Sequence, residues 1–86
     1  MASYEIRFRK SVATDLRPVP TKDVRKIIEA IQRLAADPRP PQSLKLTDAD
    51  QYRLRCGAYR VLYEIHDDQL IVCIVKVGHR REVYRR

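Results

Sequence analysis

Residues 52–77 read YRLRCGAYRVLYEIHDDQLIVCIVKV. In the first five residues of this stretch apolar and basic side chains alternate, and a period of two is typical of a half-buried strand. A break at Gly57-Ala58 precedes a second predicted strand from Tyr59 to Ile65. His66-Asp67-Asp68-Gln69 predicts a tight turn, and the nearly continuous apolar run from Leu70 to Val77 predicts a strand at or near the sheet centre, covered on both faces. Three meandering strands therefore dominate the fold.

The residues before this stretch predict one more strand and two helices. Alternation from Tyr4 to Phe8 predicts the strand, and Ser11–Arg17 predicts a short helix ended by the prolines that follow it. From Thr21 onward apolar residues recur at steps of three and four, which predicts a longer amphipathic helix that ends before Pro38. The residues that follow, to about Asp50, predict a polar connection.

This order of elements predicts the fold class. We expect a single α+β domain over residues 1–86, with the two helices packed on one face of a small, mainly antiparallel, four-stranded sheet. A chain of 86 residues has room for one modest core. The sheet face away from the helices is then free to carry function.

The charge balance favours a polyanionic or acidic partner. Eighteen Lys and Arg against 11 Asp and Glu give a formal charge of +7, while 44% hydrophobic residues indicate a packed globule rather than a basic tail. We expect a cytoplasmic protein, because the chain shows neither a secretory signal nor an apolar run long enough for a membrane span. Cys56 and Cys73 lie in apolar stretches without metal-site spacing, so we interpret them as buried thiols.

Three arginines form the first candidate site. Arg53 and Arg55 lie two apart on one predicted strand and share a face about 7 Å apart, and Arg60 on the next strand can lie beside either of them. Like charges so close together disfavour folding unless an anion binds between them. The alternative is a solvated sheet face, or ion pairs with Glu64 and Asp50.

The segment Gly78-His79-Arg80-Arg81-Glu82-Val83-Tyr84 is the second candidate site. It gathers titratable and cationic groups immediately after the last predicted strand. The alternative is a solubilising tail that Val83 and Tyr84 anchor.

Together these motifs resemble the RelE toxins of the RelE/ParE superfamily. The resemblance lies in the residues of 44–84, above all Leu44-Lys45-Leu46, Tyr52-Arg53-Leu54-Arg55, Gly57-Ala58-Tyr59-Arg60 and Val77-Gly78-His79-Arg80 with Tyr84. It implies a RelE-like fold and a type II toxin that cleaves messenger RNA in the ribosomal A site through attack of the ribose 2′-hydroxyl on the phosphate. It also implies that no metal or cofactor is needed.

The resemblance assigns roles to individual residues. It makes Tyr84 the candidate general base, Arg55 and Arg60 phosphate stabilisers, and Arg80 a general acid or another stabiliser. The residues that we expect to contact RNA or its phosphates are Lys45, Arg53, His79 and Arg81. His79 is also an acid–base candidate, since free imidazole titrates closest to cellular pH.

The partners implied are the ribosome with its messenger RNA and a cognate antitoxin. We expect the antitoxin to be acidic and helical, to complement the basic toxin, and to form a hetero-oligomer with it. Two other functions stay open at this point: a ParE-like, non-enzymatic inhibitor of DNA gyrase, and a nucleic-acid-binding module without catalysis.

Overall fold

The computed structural model describes residues 3–46 and 51–79. Its elements, in chain order, are β1 (Glu5–Phe8), α1 (Lys10–Leu16), α2 (Thr21–Arg33), β2 (Ser43–Lys45), β3 (Gln51–Cys56), β4 (Tyr59–His66) and β5 (Ile71–His79). No helix within these ranges is long and apolar enough to cross a membrane.

The strands form one sheet in the order β1-β5-β4-β3-β2. The β1–β5 pair is parallel, and the other three pairs are antiparallel. The predicted α+β class and the mainly antiparallel sheet are confirmed. The predicted number of four strands is wrong, because Ser43–Lys45 pairs with β3 as a fifth, edge strand. This strand has three residues, too few to show the alternation that identifies a strand in sequence.

Both helices pack on one face of the sheet and close a single core. The apolar stripe of α2 contributes Ile27 and Ile31, and Leu34 follows at its end; all three are at most 1% exposed. The sheet contributes alternate residues of its strands, with one extra residue between Ile74 and Val77. These core residues include Leu54, Val61, Tyr63, Ile65, Val72, Ile74 and Val77. Alternation along the strands thus directs apolar side chains to the helices and leaves the other face for polar ones.

The central strand of the sheet is β4, and β5 lies next to it. The prediction that β5 is covered on both faces is wrong. Ile71, Cys73 and Val75 are half-buried, and Lys76 is exposed.

Cys73 is a free thiol, as is Cys56. Both are half-buried rather than fully buried, and burial raises the pKa of the Cys56 thiol.

A polar cluster ties the chain together at the end of the sheet that carries the β4–β5 turn. Arg39 donates to both Asp67 carboxylate oxygens, through Nη2 at 2.8 Å and Nη1 at 3.4 Å, and Tyr4 Oη donates to Oδ1 at 2.6 Å. The Arg39 Nε also donates to Tyr52 Oη at 3.0 Å, and its guanidinium lies 5.3 Å from the centre of that ring. Asp67 therefore joins the amino-terminal segment, the α2–β2 connection and the turn.

This cluster predicts a loss of stability in acid. The hydrogen bonds from Arg39 and then from Tyr4 lower the pKa of Asp67 below its ordinary 3.8. Because the folded pKa lies below the unfolded one, the contribution is fully present above the unfolded pKa and is lost as pH falls through the folded pKa. We expect urea unfolding to show wild type more stable than Asp67→Asn at about pH 7, with the difference shrinking below about pH 4. Asp68→Asn, at an exposed neighbour, is the control; equal shifts in both variants would contradict the assignment.

Candidate functional site

The outer face of the sheet, the one turned away from the helices, carries its side chains in rows across the strands. The strand register aligns Arg55 with Arg60 and Gly78 in the first row. The second row contains Leu44, Arg53, Leu62 and Lys76, and the third contains Gln51, Glu64, Cys73 and Arg7. Among the residues that the structure describes, the first two rows hold four cations and no carboxylate.

Arg55 and Arg60 lie directly opposite each other on β3 and β4. This juxtaposition follows from the tight Gly57-Ala58 turn between the strands, in which Gly57 adopts a φ of +61° that favours glycine. Arg55 is exposed, but Arg60 is only 5% exposed. The two members of the pair therefore sit in different surroundings.

The Arg60 guanidinium is held by the turn beside it. Its Nη1 donates to the Tyr59 carbonyl at 3.1 Å and to the Gly57 carbonyl at 3.3 Å. Gly78 is its partner in the register on the other side, and a glycine there adds no side chain to the same row of the face. Arg60 is thus a fixed, nearly buried cation, and fixed cations suit the stabilisation of developing charge.

The third row is electrostatically different from the first two. Glu64 Oε2 lies 3.5 Å from Arg9 Nη2 and accepts from Gln51 Nε2 at 3.5 Å, while Oε1 lies 3.3 Å from His66 Nε2. The Glu64 side chain is 21% exposed. The positive potential of the outer face is therefore concentrated near the β3–β4 turn.

Two predicted RNA-contacting residues lie on the opposite face. The register pairs Lys45 with Tyr52 and His79 with Tyr59, on the side that the helices cover. The His79 ring meets the Tyr59 ring edge-on at 5.9 Å, and both residues line a cavity of about 150 Å³ together with Asp15, Pro18, Val19 and Gly78. The structure therefore groups Arg53, Arg55 and Arg60 and separates Lys45 and His79 from them. Arg80, Arg81 and Tyr84 lie outside the described residues.

Sequence reasoning did not single out Lys76. This residue is exposed and occupies the outer face opposite Leu62, one row from Arg60. It is the sole charge in the run Ile71–Val77, and a lone cation in an apolar strand is a signal that could have found it. We add Lys76 to the candidate anion-binding surface.

Comparison with known proteins fits this arrangement. The family model for the ParE toxin of the type II toxin-antitoxin system parDE matches residues 6–84. This chain belongs to the RelE/ParE superfamily. It is similar to toxin RelG of Mycobacterium tuberculosis, with 34% identity over 85 residues that cover 96% of this chain and 98% of RelG. The protein is therefore a RelE-like type II toxin.

Solved structures of RelE/ParE relatives show the same fold. The RelE–RelB complex of Pyrococcus horikoshii contains a chain that superposes with a TM-score of 0.83 at 28% identity, over 91% of this chain and 96% of that one. The RelBE2 toxin–antitoxin complex of Mycobacterium tuberculosis gives 0.80 at 30% identity, over 92% and 100%. The RelE-like fold predicted from the sequence is confirmed.

Proposed function

We propose that this toxin is a metal-independent endoribonuclease that cleaves messenger RNA in the A site of the ribosome and so stops translation. The observation that carries the proposal is the facing pair of Arg55 and Arg60. Two guanidinium groups held side by side on neighbouring strands can bind the oxygens of one phosphate and stabilise negative charge that develops on it. The phosphodiester of the proposed substrate supplies such a phosphate.

In the proposed reaction the ribose 2′-oxygen attacks the adjacent phosphorus. A base removes the 2′-hydroxyl proton, the new P–O2′ bond forms, and the P–O5′ bond breaks as its electron pair leaves with the 5′-oxygen, which takes up a proton. The products are a 2′,3′-cyclic phosphate and a 5′-hydroxyl end. Arg60 and Arg55 stabilise the negative charge that grows on the non-bridging oxygens, and Arg53 and Lys76 bind the neighbouring phosphates.

Proton removal is assigned to Tyr84 and stabilisation of the leaving group to Arg80. The pKa of a free tyrosine is about 10. Nearby cations favour the phenolate form, which is the form that can remove a proton. The imidazole of His79 lies on the helix-covered face, against Tyr59. This placement favours Tyr84 over His79 as the base that works with Arg55 and Arg60.

The proposed partners follow from the charge and the relatives. Structures similar to this chain include RelE–RelB antitoxin–toxin complexes. We propose that an acidic, helical antitoxin binds this toxin in a hetero-oligomer, since opposite charge steers and orients association with a +7 protein. The proposed place of action is the cytoplasm, where ribosomes translate.

Ribosome-dependent cleavage tests the proposal. Purified toxin is expected to cut a transcript on purified ribosomes and to leave the same transcript intact without them. A metal chelator, added at a concentration at which the ribosomes stay assembled, is expected to leave the cleavage rate unchanged. Tyr84→Phe is expected to slow cleavage about 100-fold, because general acid–base groups typically contribute at least that much. Single-turnover cleavage followed by primer extension measures both.

The control is Arg25→Met, which removes an exposed arginine from α2 on the opposite side of the sheet. It is expected to cleave at the wild-type rate. Full activity of Tyr84→Phe would remove Tyr84 from the mechanism, and a wild-type toxin that cuts nothing on ribosomes would overturn the proposal.

A second candidate function is inhibition of DNA gyrase, because the matching family model is described as a ParE toxin. A supercoiling assay with the same preparation decides between the two functions. Inhibition of gyrase together with intact transcripts on ribosomes would favour the ParE-like function. Cleavage without any effect on supercoiling would favour the nuclease.

A further inference from the structure

The end of β5 has a pairing that differs from the rest of the strand. Between Ile71 and Ile74, β5 lies between β4 on one side and β1 on the other. The pairing with β1 ends there, where the Arg9 amide donates to the Ile74 carbonyl at 3.0 Å. From Val75 onward β1 no longer supports β5, although β4 pairs with it as far as His79.

An irregularity in the ladder lies at the same place. Leu62 pairs with Lys76 but Tyr63 pairs with Ile74, so Val75 is one extra residue in β5. Such a bulge bends a strand and increases its local twist. The direction in which β5 leaves the sheet therefore depends on contacts made after the bulge.

Asp15 of α1 makes one such contact. Its Oδ2 accepts a hydrogen bond from the Val77 amide at 3.1 Å, across 62 residues of sequence. Val12, one turn earlier on the same side of α1, is 2% exposed and anchors the helix in the core. The carboxylate thus takes the place that a neighbouring strand would occupy, and a firmly packed helix holds it there.

We propose that Asp15 is a positioning residue of the nuclease site. By binding the Val77 amide it fixes the end of β5, and with it Gly78, the partner of Arg60 in the register. This inference rests on the proposed function. A displacement of about 1 Å at reacting groups can lower a rate about 100-fold, so a hydrogen bond at Val77, the residue before the register partner of Arg60, bears on catalysis without touching RNA.

The test compares three variants in multiple-turnover cleavage at varied concentrations of programmed ribosomes. Asp15→Ala removes the acceptor and is expected to lower kcat about 10-fold to 100-fold while KM for the programmed ribosome stays within about threefold. Asp15→Asn keeps a carbonyl oxygen that can accept from the Val77 amide, and it is expected to restore kcat to within about threefold of wild type. Thr14→Ala, at the exposed preceding residue of α1, is the matched control and is expected to behave as wild type.

Amide hydrogen exchange gives a readout that does not depend on activity. In Asp15→Ala the Val77 amide is expected to exchange at least about 10-fold faster, whereas the Val72 amide, between β1 and β4 in the sheet, keeps its wild-type rate. An increase at both amides would indicate general loosening of the fold and would overturn a local positioning role.

Other outcomes also decide the inference. Wild-type kcat in Asp15→Ala would overturn it, and equal loss in Asp15→Ala and Asp15→Asn would assign the effect to charge and overturn the hydrogen-bonding role. A loss confined to KM would place Asp15 in binding instead. Inactive Tyr84→Phe together with fully active Asp15→Ala would overturn this inference alone, whereas wild-type toxin that cuts nothing on ribosomes would overturn the proposed function and this inference with it.

Discussion

Arg60→Met is expected to remove growth arrest and to destabilise the toxin at the same time. The substitution deletes the fixed cation of the Arg55–Arg60 pair, and loss of one preorganised stabilising group typically lowers a rate about 100-fold to 1000-fold. It also deletes the donors that the Gly57 and Tyr59 carbonyls accept from at 3.3 and 3.1 Å. Each of these bonds has a charged donor, and loss of a hydrogen bond to a charged group typically costs about 1.5–3 kcal/mol. Single-turnover cleavage and urea unfolding measure the two effects.

Arg55→Met separates catalysis from folding. Arg55 faces Arg60 but is exposed, and surface substitutions typically change stability by less than about 0.5 kcal/mol. The substitution removes one of two like charges that face each other, so the variant is expected to be as stable as wild type or slightly more stable. Its cleavage of RNA is expected to be slower. If Arg60→Met cleaves RNA normally despite its lower stability, the Arg60 side chain serves only the turn.

The grouping of Arg60 with Arg53 and Arg55 on one sheet face could be predicted because it depends on local pattern, whereas the choice of Arg55 over Arg53 as the facing residue came from the structure. Alternation in residues 52–56 determines which arginines share a face, and the two-residue break at Gly57-Ala58 determines that the next strand returns beside the first. The register then places Arg60 opposite Arg55. Each step uses residues that lie close together in the sequence.

The faces occupied by Lys45 and His79 could not be predicted in the same way. The side chain of Lys45 lies on the helix-covered face because β2 pairs Lys45 with Tyr52, and a three-residue edge strand carries too little periodicity to reveal that register. His79 follows the bulge at Val75. An extra residue reverses the alternation after it, so counting positions from the buried start of β5 assigns the wrong face.

Contacts between distant residues escaped prediction for another reason. Asp15 and Val77, like Arg39 and Asp67, meet only because the packed helices and sheet bring them together. No spacing along the chain marks such a pair in a single sequence. These contacts are nevertheless the ones that orient the chain at both ends of the sheet.

The largest effect on stability is expected for Tyr63→Ala. The Tyr63 side chain is fully buried in central strand β4, its ring stacks on Tyr52 with centroids 5.7 Å apart, and its hydroxyl donates to the Pro38 carbonyl at 2.7 Å. Burial raises the pKa of Tyr63 to about 12, so the phenol keeps the proton that it donates. Replacing a buried aromatic ring with alanine costs about 3–5 kcal/mol, and a domain has only about 5–15 kcal/mol in total. A chain of 86 residues buries a smaller fraction of its surface than a large one, so this variant is expected to be partly unfolded at growth temperature.

Tyr63→Phe distinguishes the ring from the hydroxyl. It keeps the stacking on Tyr52 but leaves the Pro38 carbonyl without its donor, and this costs about 1–3 kcal/mol. Urea unfolding followed by circular dichroism is expected to rank wild type above Tyr63→Phe and Tyr63→Phe above Tyr63→Ala. Equal midpoints for wild type and Tyr63→Phe would show that another donor reaches Pro38, and an unchanged midpoint for Tyr63→Ala would contradict the buried stacking itself. Because Tyr63 lies on the helix-covered face, Tyr63→Phe is expected to cleave RNA at the wild-type rate as long as it is folded. This result would separate the role of the core from that of Arg60 on the outer face of the same strand.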